Sequence, residues 1–221
     1  MLGDDFLRSS AQKSIIMNDS IEQLAKLFSR FPGIGERQSK RFVYFLLRQP
    51  ESYIRELLAS MTELRKRIRI CESCFRHFES TKDSLCDICR NPKTDSSLLM
   101  VVEKDADFES IRRSGTYKGK YFILGGLVPI VEKSTPNNVR IEELKDTIES
   151  RAKDTILKEV IIALALTPHA DHTDTYLKSE LDKLKETYGF KISSLGRGLS
   201  TGTELEYSDN DTIKNAFKNR Q

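Results

Sequence analysis

The chain has 221 residues, enough for one or two ordinary domains, and a formal net charge of +3. No apolar stretch approaches the roughly 20 residues that a membrane-spanning helix needs, and Asp4, Asp5 and Arg8 precede any apolar run. The sequence therefore predicts a cytoplasmic protein without a secretory signal. Residues 1–70 carry the basic surplus, which favours a polyanionic partner, although a solvated helical face gives the same count.

Three helices are predicted before the first cysteine. A capping box that begins at Ser20 opens the first helix, and Pro32 ends it. The second helix is predicted over residues 36–48 and the third over residues 51–68, each with apolar positions at helical spacing. These helices form the first module of the chain.

The sequence FPGIG, residues 31–35, lies between the first two helices and is typical of a helix-hairpin-helix. Glycines allow a tight hairpin in which backbone N–H groups at the start of the second helix approach a phosphate. Basic side chains one turn further on can contact neighbouring phosphates without reading bases. The predicted DNA contacts are Gly33, Gly35, Arg37, Lys40 and Arg41. A plain Pro-Gly turn between core helices is the alternative.

The only four cysteines of the chain form two C-x-x-C pairs, Cys71 with Cys74 and Cys86 with Cys89. Two such pairs supply the four thiolates of a tetrahedral zinc site. Two disulfides or four unrelated core thiols are the alternatives, but no signal sequence places the chain in an oxidising compartment. Four protein ligands leave no position for a reacting water, so the pattern predicts one structural zinc per chain.

Beyond Pro92 short apolar runs alternate with amphipathic stretches. Strands are predicted over residues 98–102, 121–124, 160–166 and 190–193, and helices over residues 105–114, 140–153, 173–188 and 212–219. Such alternation predicts a parallel sheet with helices on both faces. The fold class is therefore α/β, built from several modules.

Two acids follow strands of this predicted sheet. Glu103 ends the first strand and Asp171 follows the third. Ligands collect at the carboxyl ends of parallel strands, so the pair is a weak candidate for Mg²⁺ or for a partner-binding surface. Two solvated loop acids are the alternative interpretation. The sequence has no P-loop motif and no nucleophile signature, which argues against an enzyme.

The order of these parts resembles the RecR family of bacterial recombination mediators. The resemblance is carried by the hairpin (31–41), the cysteine pairs (71–89), VVE (101–103), YFILGGLVPI (121–130), TPHADHTDTYL (167–177) and GRGLSTGTELEYSDNDT (196–212). It implies a helix-hairpin-helix, a zinc module, a Toprim domain, and a C-terminal segment that helps a tetramer close into a ring.

We expect five segments in this architecture. They are a disordered extension (1–17), the helix-hairpin-helix domain (18–70), the four-cysteine zinc finger (71–96), the Toprim-like α/β domain (97–193) and a C-terminal oligomerisation segment (194–221). Residues 1–16 lie outside the resemblance and Met17 would be a typical family start, so the first segment is either an extension or a start-site ambiguity.

The resemblance implies a non-enzymatic DNA repair factor. Such a protein is a ring-forming clamp and adaptor that works with RecO and RecF to load RecA onto single-stranded gaps coated by single-strand-binding protein. An Mg²⁺-dependent Toprim nuclease or primase that uses Glu103 and Asp171 is the alternative, and a scaffold without DNA contact is a second one.

The chain departs from the family pattern at two places. Where the family usually has Asn-Pro, two residues and then acid-Gly-acid, this chain has Thr167-Pro168 followed by Asp171, His172 and Thr173. The loss of the glycine and of the second acid weakens any Mg²⁺ site. The zinc loop is also about three residues longer than usual, which two separate cysteine pairs tolerate.

Overall fold

The computed structural model describes residues 20–131, 138–154, 157–196, 198–199, 202 and 204–218. The described residues form two compact units that divide between Lys66 and Arg67. The predicted extension over residues 1–17 lies outside the described residues.

The first unit consists of three helices, as the sequence predicts. Residues 20–28 are helical (α1), and α2 and α3 span Glu36–Leu47 and Glu51–Arg67. Phe28 holds the first two helices together, since its ring packs edge to face on Phe42 with 5.7 Å between the ring centroids.

Helix α3 buries none of its residues in the single chain. Its apolar positions recur at helical spacing, yet Leu58, Met61 and Leu64 are each more than half exposed. An amphipathic helix is ordinarily stabilised by packing its apolar face. The apolar face of α3 is therefore exposed in the single chain.

The second unit begins with the cysteine segment. Two short antiparallel strands, β1 (Ile68–Ile70) and β2 (His77–Glu79), pair with each other. A one-turn helix, α4 (Asp87–Arg90), follows. The sequence did not predict these strands, because three residues are too few to show a period.

A four-stranded parallel sheet in the order β4-β3-β5-β6 forms the rest of this unit. Its strands are β3 (Asp95–Val102), β4 (Gly119–Ile123), β5 (Glu159–Ala163) and β6 (Lys191–Ser194). Its helices are α5 (Asp105–Ser114), α6 (Ile141–Lys153) and α7 (Pro168–Tyr188); a 3₁₀ turn (Leu205–Tyr207) and α8 (Asn210–Lys218) follow. The predicted parallel α/β sheet is confirmed.

Apolar cores cover both faces of the sheet. Leu144 of α6 and Leu177 of α7 pack in one core, and Phe108 of α5 packs in the other against Tyr121. Helices on both faces are what parallel strands require, because the strands are buried on both sides. This packing confirms the predicted layers.

Helix α7 begins five residues earlier than the pattern predicts, at Pro168 instead of Thr173. Thr167 is the N-cap, and its hydroxyl oxygen accepts a hydrogen bond from the Ala170 N–H at 3.3 Å. Proline at the first helical position costs no hydrogen bond. The polar run from residue 169 onward is therefore the first turn of a helix and not a loop.

The cysteine segment packs against β4, an outer strand of the sheet. The Ile123 N–H donates to the Cys74 carbonyl oxygen at 2.8 Å, and the Phe75 ring lies 5.2 Å from the ring of Phe122. The Arg140 guanidinium also lies over the Phe75 ring, 5.1 Å from its centroid. A sheet edge that would otherwise be open is thus covered by the metal-binding segment.

Lys120 of β4 completes this attachment. The residue is only 7% exposed, and its Nζ donates to the carbonyl oxygens of Ile88 at 2.9 Å, Cys89 at 3.1 Å and Asn91 at 3.3 Å. These carbonyls lie at the C-terminal end of α4, where a cation is favourable. Lys120 therefore joins the second cysteine pair to the sheet.

We expect Lys120→Met to lower the free energy of unfolding by about 2–4 kcal/mol, because three carbonyl oxygens lose a charged, buried donor. Urea denaturation followed by circular dichroism measures this loss. Lys118→Met, at an exposed neighbouring lysine, is the matched control and should change stability by less than about 0.5 kcal/mol. Equal stabilities for the two variants would contradict the role of Lys120.

Candidate metal centre and nucleic-acid interface

The four cysteine sulfurs converge on one point. All four Sγ atoms lie within 4.8 Å of one another, three of the residues are buried, and Cys89 is partly buried. The Cys74 and Cys86 sulfurs are 3.6 Å apart, close to the edge of about 3.8 Å that Zn–S bonds of about 2.3 Å give a tetrahedron. All four cysteines are free thiols, and a disulfide would require about 2.05 Å.

Backbone turns position both cysteine pairs. In the first pair the Phe75 N–H donates to the Cys71 carbonyl oxygen at 2.9 Å, and Phe75 adopts a left-handed φ of 61°. In the second pair Cys86 caps α4, which places Cys89 one turn further on. The Cys86 N–H also donates to the Cys71 sulfur at 3.3 Å, a contact that favours a thiolate.

The thiols of the cluster influence one another's protonation. Hydrogen bonds from the other thiols, chiefly from Cys74, lower the pKa of Cys71, and the pKa of Cys74 is raised by its hydrogen bond with Cys71. The pKa of the Arg76 guanidinium is raised on balance: burial opposes its charge, but hydrogen bonding to Cys86 favours it. A buried cation thus lies beside the sulfurs and offsets part of their negative charge.

This donor set fits zinc. Among the described residues it is the one group of three or more Cys, His, Asp or Glu side chains close enough together to hold a metal ion. Four sulfurs fill a tetrahedral shell, so the ion would hold Cys71, Cys74, Cys86 and Cys89 together and offer no position to a substrate.

We expect Cys86→Ser to reduce bound zinc, measured by atomic emission, to less than a tenth of the wild-type content. The variant should also unfold at a lower temperature, because a metal bound only by the native state contributes directly to folding. Ser84→Ala, which changes a non-ligand two residues away, is the control. Full zinc content in the Cys86 variant would refute the assignment.

The predicted hairpin leaves the start of α2 accessible. Gly33 has a φ of +75°, and Gly35 is the N-cap of α2 with extended backbone and no side-chain cap. A Cβ atom built at either glycine would meet nothing within 4 Å. Backbone N–H groups at this helix start can therefore face an anion, although Glu36 also lies in the first turn.

The three predicted cations of the hairpin differ in their surroundings. All are exposed, but the Lys40 Nζ lies 2.7 Å from a carboxylate oxygen of Glu22, and this hydrogen bond raises the pKa of Lys40. The Arg41 guanidinium donates to the neutral amide of Gln38, at 3.3 Å. Arg37 and Arg41 are therefore better placed than Lys40 to contact phosphate.

The predicted acids occupy different structural settings. Glu103 directly follows β3, and its side chain is 19% exposed, whereas Asp171 lies exposed in the first turn of α7. Within the described part of the chain neither belongs to a group of three metal-binding side chains. The predicted weak Mg²⁺ or partner site stays a prediction.

Thr173, where the family pattern has an acid, has a structural role. Its side chain is fully buried, and its hydroxyl accepts a hydrogen bond from the Val128 N–H at 2.9 Å and donates one to the His169 carbonyl at 2.8 Å. A carboxylate could accept the first bond but could not donate the second. The hydroxyl joins α7 to the segment that follows β4.

Sequence reasoning missed the two buried cations, Arg76 and Lys120. Nothing in their spacing distinguishes them from the 34 other lysines and arginines among the 36 in the chain. Their roles depend on the packing of the cysteine segment against β4.

No helix in the described residues combines the length and apolar character needed to cross a membrane.

Comparisons with known proteins agree with this arrangement. The Toprim domain family matches residues 97–195, and the family described as RecR, C-terminal matches residues 198–221. Recombination protein RecR of Amoebophilus asiaticus is 36% identical over 90% of this chain and 94% of its own length. The proteins of the same name from Dehalococcoides mccartyi and Syntrophobacter fumaroxidans are each 35% identical over 93% of this chain, and over 93% and 95% of their own lengths.

Proposed function

Because the chain belongs to the RecR family of recombination proteins, we propose that this factor of recombinational DNA repair acts as a DNA-binding clamp and adaptor and not as an enzyme. The exposed start of α2, with Gly33, Gly35, Arg37 and Arg41 around it, is the observation that carries the proposal. Phosphates would bind the backbone N–H groups there, and the arginines would contact neighbouring phosphates.

The cellular role follows from the family resemblance. We propose that the protein works with RecO and RecF, in the cytoplasm, to load RecA onto single-stranded gaps. An adaptor of this kind needs surfaces for DNA, for its partners and for its own copies. The acids Glu103 and Asp171 remain our candidates for the partner-facing side of the sheet.

Exposed apolar surfaces support self-association into a ring, for which we propose a tetramer. In the C-terminal segment an apolar groove of about 360 Å³ is lined by Leu199, Leu205, Ile213, Ala216 and Phe217. Leu205 is 63% exposed and Phe217 is 65% exposed. Side chains of this size are ordinarily buried, so a groove built from them suits a second copy of the chain.

The enzymatic alternative is less well supported. A Toprim nuclease or primase would use Glu103 and Asp171 with Mg²⁺, but the hydroxyl of Thr173 stands where a second acid would be expected and is committed to two hydrogen bonds. Mg²⁺-dependent cleavage or synthesis of labelled DNA that disappears in Glu103→Gln would favour the enzyme.

The hairpin can be tested by DNA binding. We expect Arg37→Ala/Arg41→Ala to weaken binding to a labelled duplex about tenfold or more and to reduce the slope of log K against log salt by about 1.8, since two phosphate contacts are lost. Lys40→Ala should have a smaller effect because Glu22 already holds its ammonium. Fluorescence anisotropy over a salt series gives both quantities.

The control for this experiment removes the same charge elsewhere. Arg55→Ala/Lys66→Ala deletes two cations of α3, each of which pairs with an acid of the same helix. It should leave the salt slope nearly unchanged. If the two double variants bind alike, the hairpin is not the DNA contact and the scaffold alternative gains support.

The C-terminal groove can be tested by molar mass. We expect light scattering to give about four times the chain mass of 25.3 kDa for the wild type. Phe217→Asp should reduce the mass, because a charge placed in an apolar interface is costly. Lys214→Asp on the same helix is the control and should leave the tetramer intact. An unchanged mass for Phe217→Asp would remove this groove from the assembly.

A further inference from the structure

A cleft of about 280 Å³ opens beside the cysteine segment, between α4, α5 and the start of β4. Of the described residues that line it, Lys93, Arg112 and Lys118 are basic and none is acidic. Tyr117 supplies a partly exposed aromatic ring, and Tyr121 next to it is buried. Neither the predicted hairpin nor the metal centre includes these five side chains.

The charge of the cleft is positive after its ion pairs are taken into account. Lys93 and Lys118 are exposed. The Arg112 guanidinium donates to the Asp87 carboxylate at 2.9 Å, but the same carboxylate also pairs with Arg76. Arg76 also lies 3.9 Å from a carboxylate oxygen of Glu109. Two carboxylates therefore balance the two guanidiniums, and the positive surplus comes from Lys93 and Lys118.

The buried ring of Tyr121 fixes the partly exposed ring of Tyr117. Their ring centroids lie 5.0 Å apart at 79°, and the Tyr117 hydroxyl donates to the Lys120 carbonyl at 2.9 Å. Gly119 makes room for this ring, because a Cβ atom there would lie 2.3 Å from the Tyr117 hydroxyl oxygen. Burial raises the pKa of Tyr117, which keeps the ring neutral near an anion.

We propose that this cleft binds the phosphates and a base of single-stranded nucleic acid, as a second DNA contact besides the hairpin. Cations beside aromatic rings are the usual composition of such sites, because phosphates pair with the cations while bases stack on the rings. The inference rests on the proposed function, since it assumes a protein that handles DNA.

The size and lining of the cleft favour a strand over other ligands. Its volume of about 280 Å³ is close to the lower end of the range of about 300–1,000 Å³ typical of ligand sites, which suits a single nucleotide unit of a longer chain. An acidic peptide would satisfy Lys93 and Lys118 but would make no use of the partly exposed Tyr117 ring, on which a base can stack.

The test compares Lys93→Ala/Lys118→Ala with the wild type for binding of a labelled oligothymidine over a salt series. We expect the affinity to fall about fivefold or more at low salt, and the slope of log K against log salt to decrease by about 1.4, the value for two contacts to a single strand. The control, Lys183→Ala/Lys185→Ala, removes two exposed lysines of α7 and should change affinity less than twofold. Zinc content confirms that each variant is folded.

The outcomes separate this inference from the hairpin proposal. A loss of affinity in the cleft variant alone supports the cleft and contradicts the hairpin, and a loss in Arg37→Ala/Arg41→Ala alone does the reverse. Equal behaviour of the cleft and control variants would overturn the inference. A cleft variant that loses binding to labelled oligoglutamate but keeps its binding to oligothymidine would also overturn it, since that result would make the cleft an acidic-peptide site.

Discussion

Burial of four sulfurs at one point is the constraint on which the second unit depends. Their Sγ atoms lie within 4.8 Å of one another, and the apolar side chains packed around them, such as Phe78, Leu85 and Ile88, are only partly buried. Several thiolates cannot share such a space without a cation, because their mutual repulsion and desolvation are both unfavourable. A dication resolves both costs, and in a segment of about twenty residues it replaces the apolar core that the segment is too short to build.

The cysteine segment in turn covers the β4 edge of the parallel sheet. Cys74 accepts a backbone hydrogen bond from β4, and Lys120 of β4 donates three hydrogen bonds to the end of α4. Asp87 of α4 pairs with Arg112 of α5, which extends the contact to the next helix. Metal centre, outer strand and α5 therefore form one connected body, and the basic cleft lies where they meet. Loss of the metal would be expected to disturb the cleft as well as the cysteines.

Periodicity and spacing predicted much of this architecture. The two C-x-x-C pairs identified the metal ligands because the chemistry of a four-thiolate site fixes both residue type and local spacing. Helices α2 and α3 were predicted from apolar residues at helical spacing, and the parallel strands from short apolar runs. Strands β1 and β2 are too short for a period, and the start of α7 was missed because Thr167 and Pro168, although good helix-start residues, precede a polar run.

Tertiary contacts account for the rest. The apolar positions of α3 predicted a face, but no local signal indicates whether such a face packs within its own unit or against another copy, and in this chain it is open. Lys120 and Arg76 appear in the sequence as ordinary cations and acquire their roles only when β4 brings them against α4. The glycines of the hairpin, in contrast, could be interpreted from the sequence, because the positive φ at Gly33 is a local requirement that does not depend on tertiary contacts.

The substitution at Thr173 connects these structural points with function. In a metal-dependent Toprim site a carboxylate at this position would have to remain available to an ion, and it would be repelled by a neighbouring Asp171 unless that ion were bound. The threonine hydroxyl instead bonds to Val128 and His169 and fixes the segment after β4 on α7. At this position the chain therefore has a packed hydroxyl and not a metal ligand. This arrangement agrees with the non-enzymatic role proposed above, because a packed hydroxyl occupies the position where metal-dependent catalysis would require an available charge.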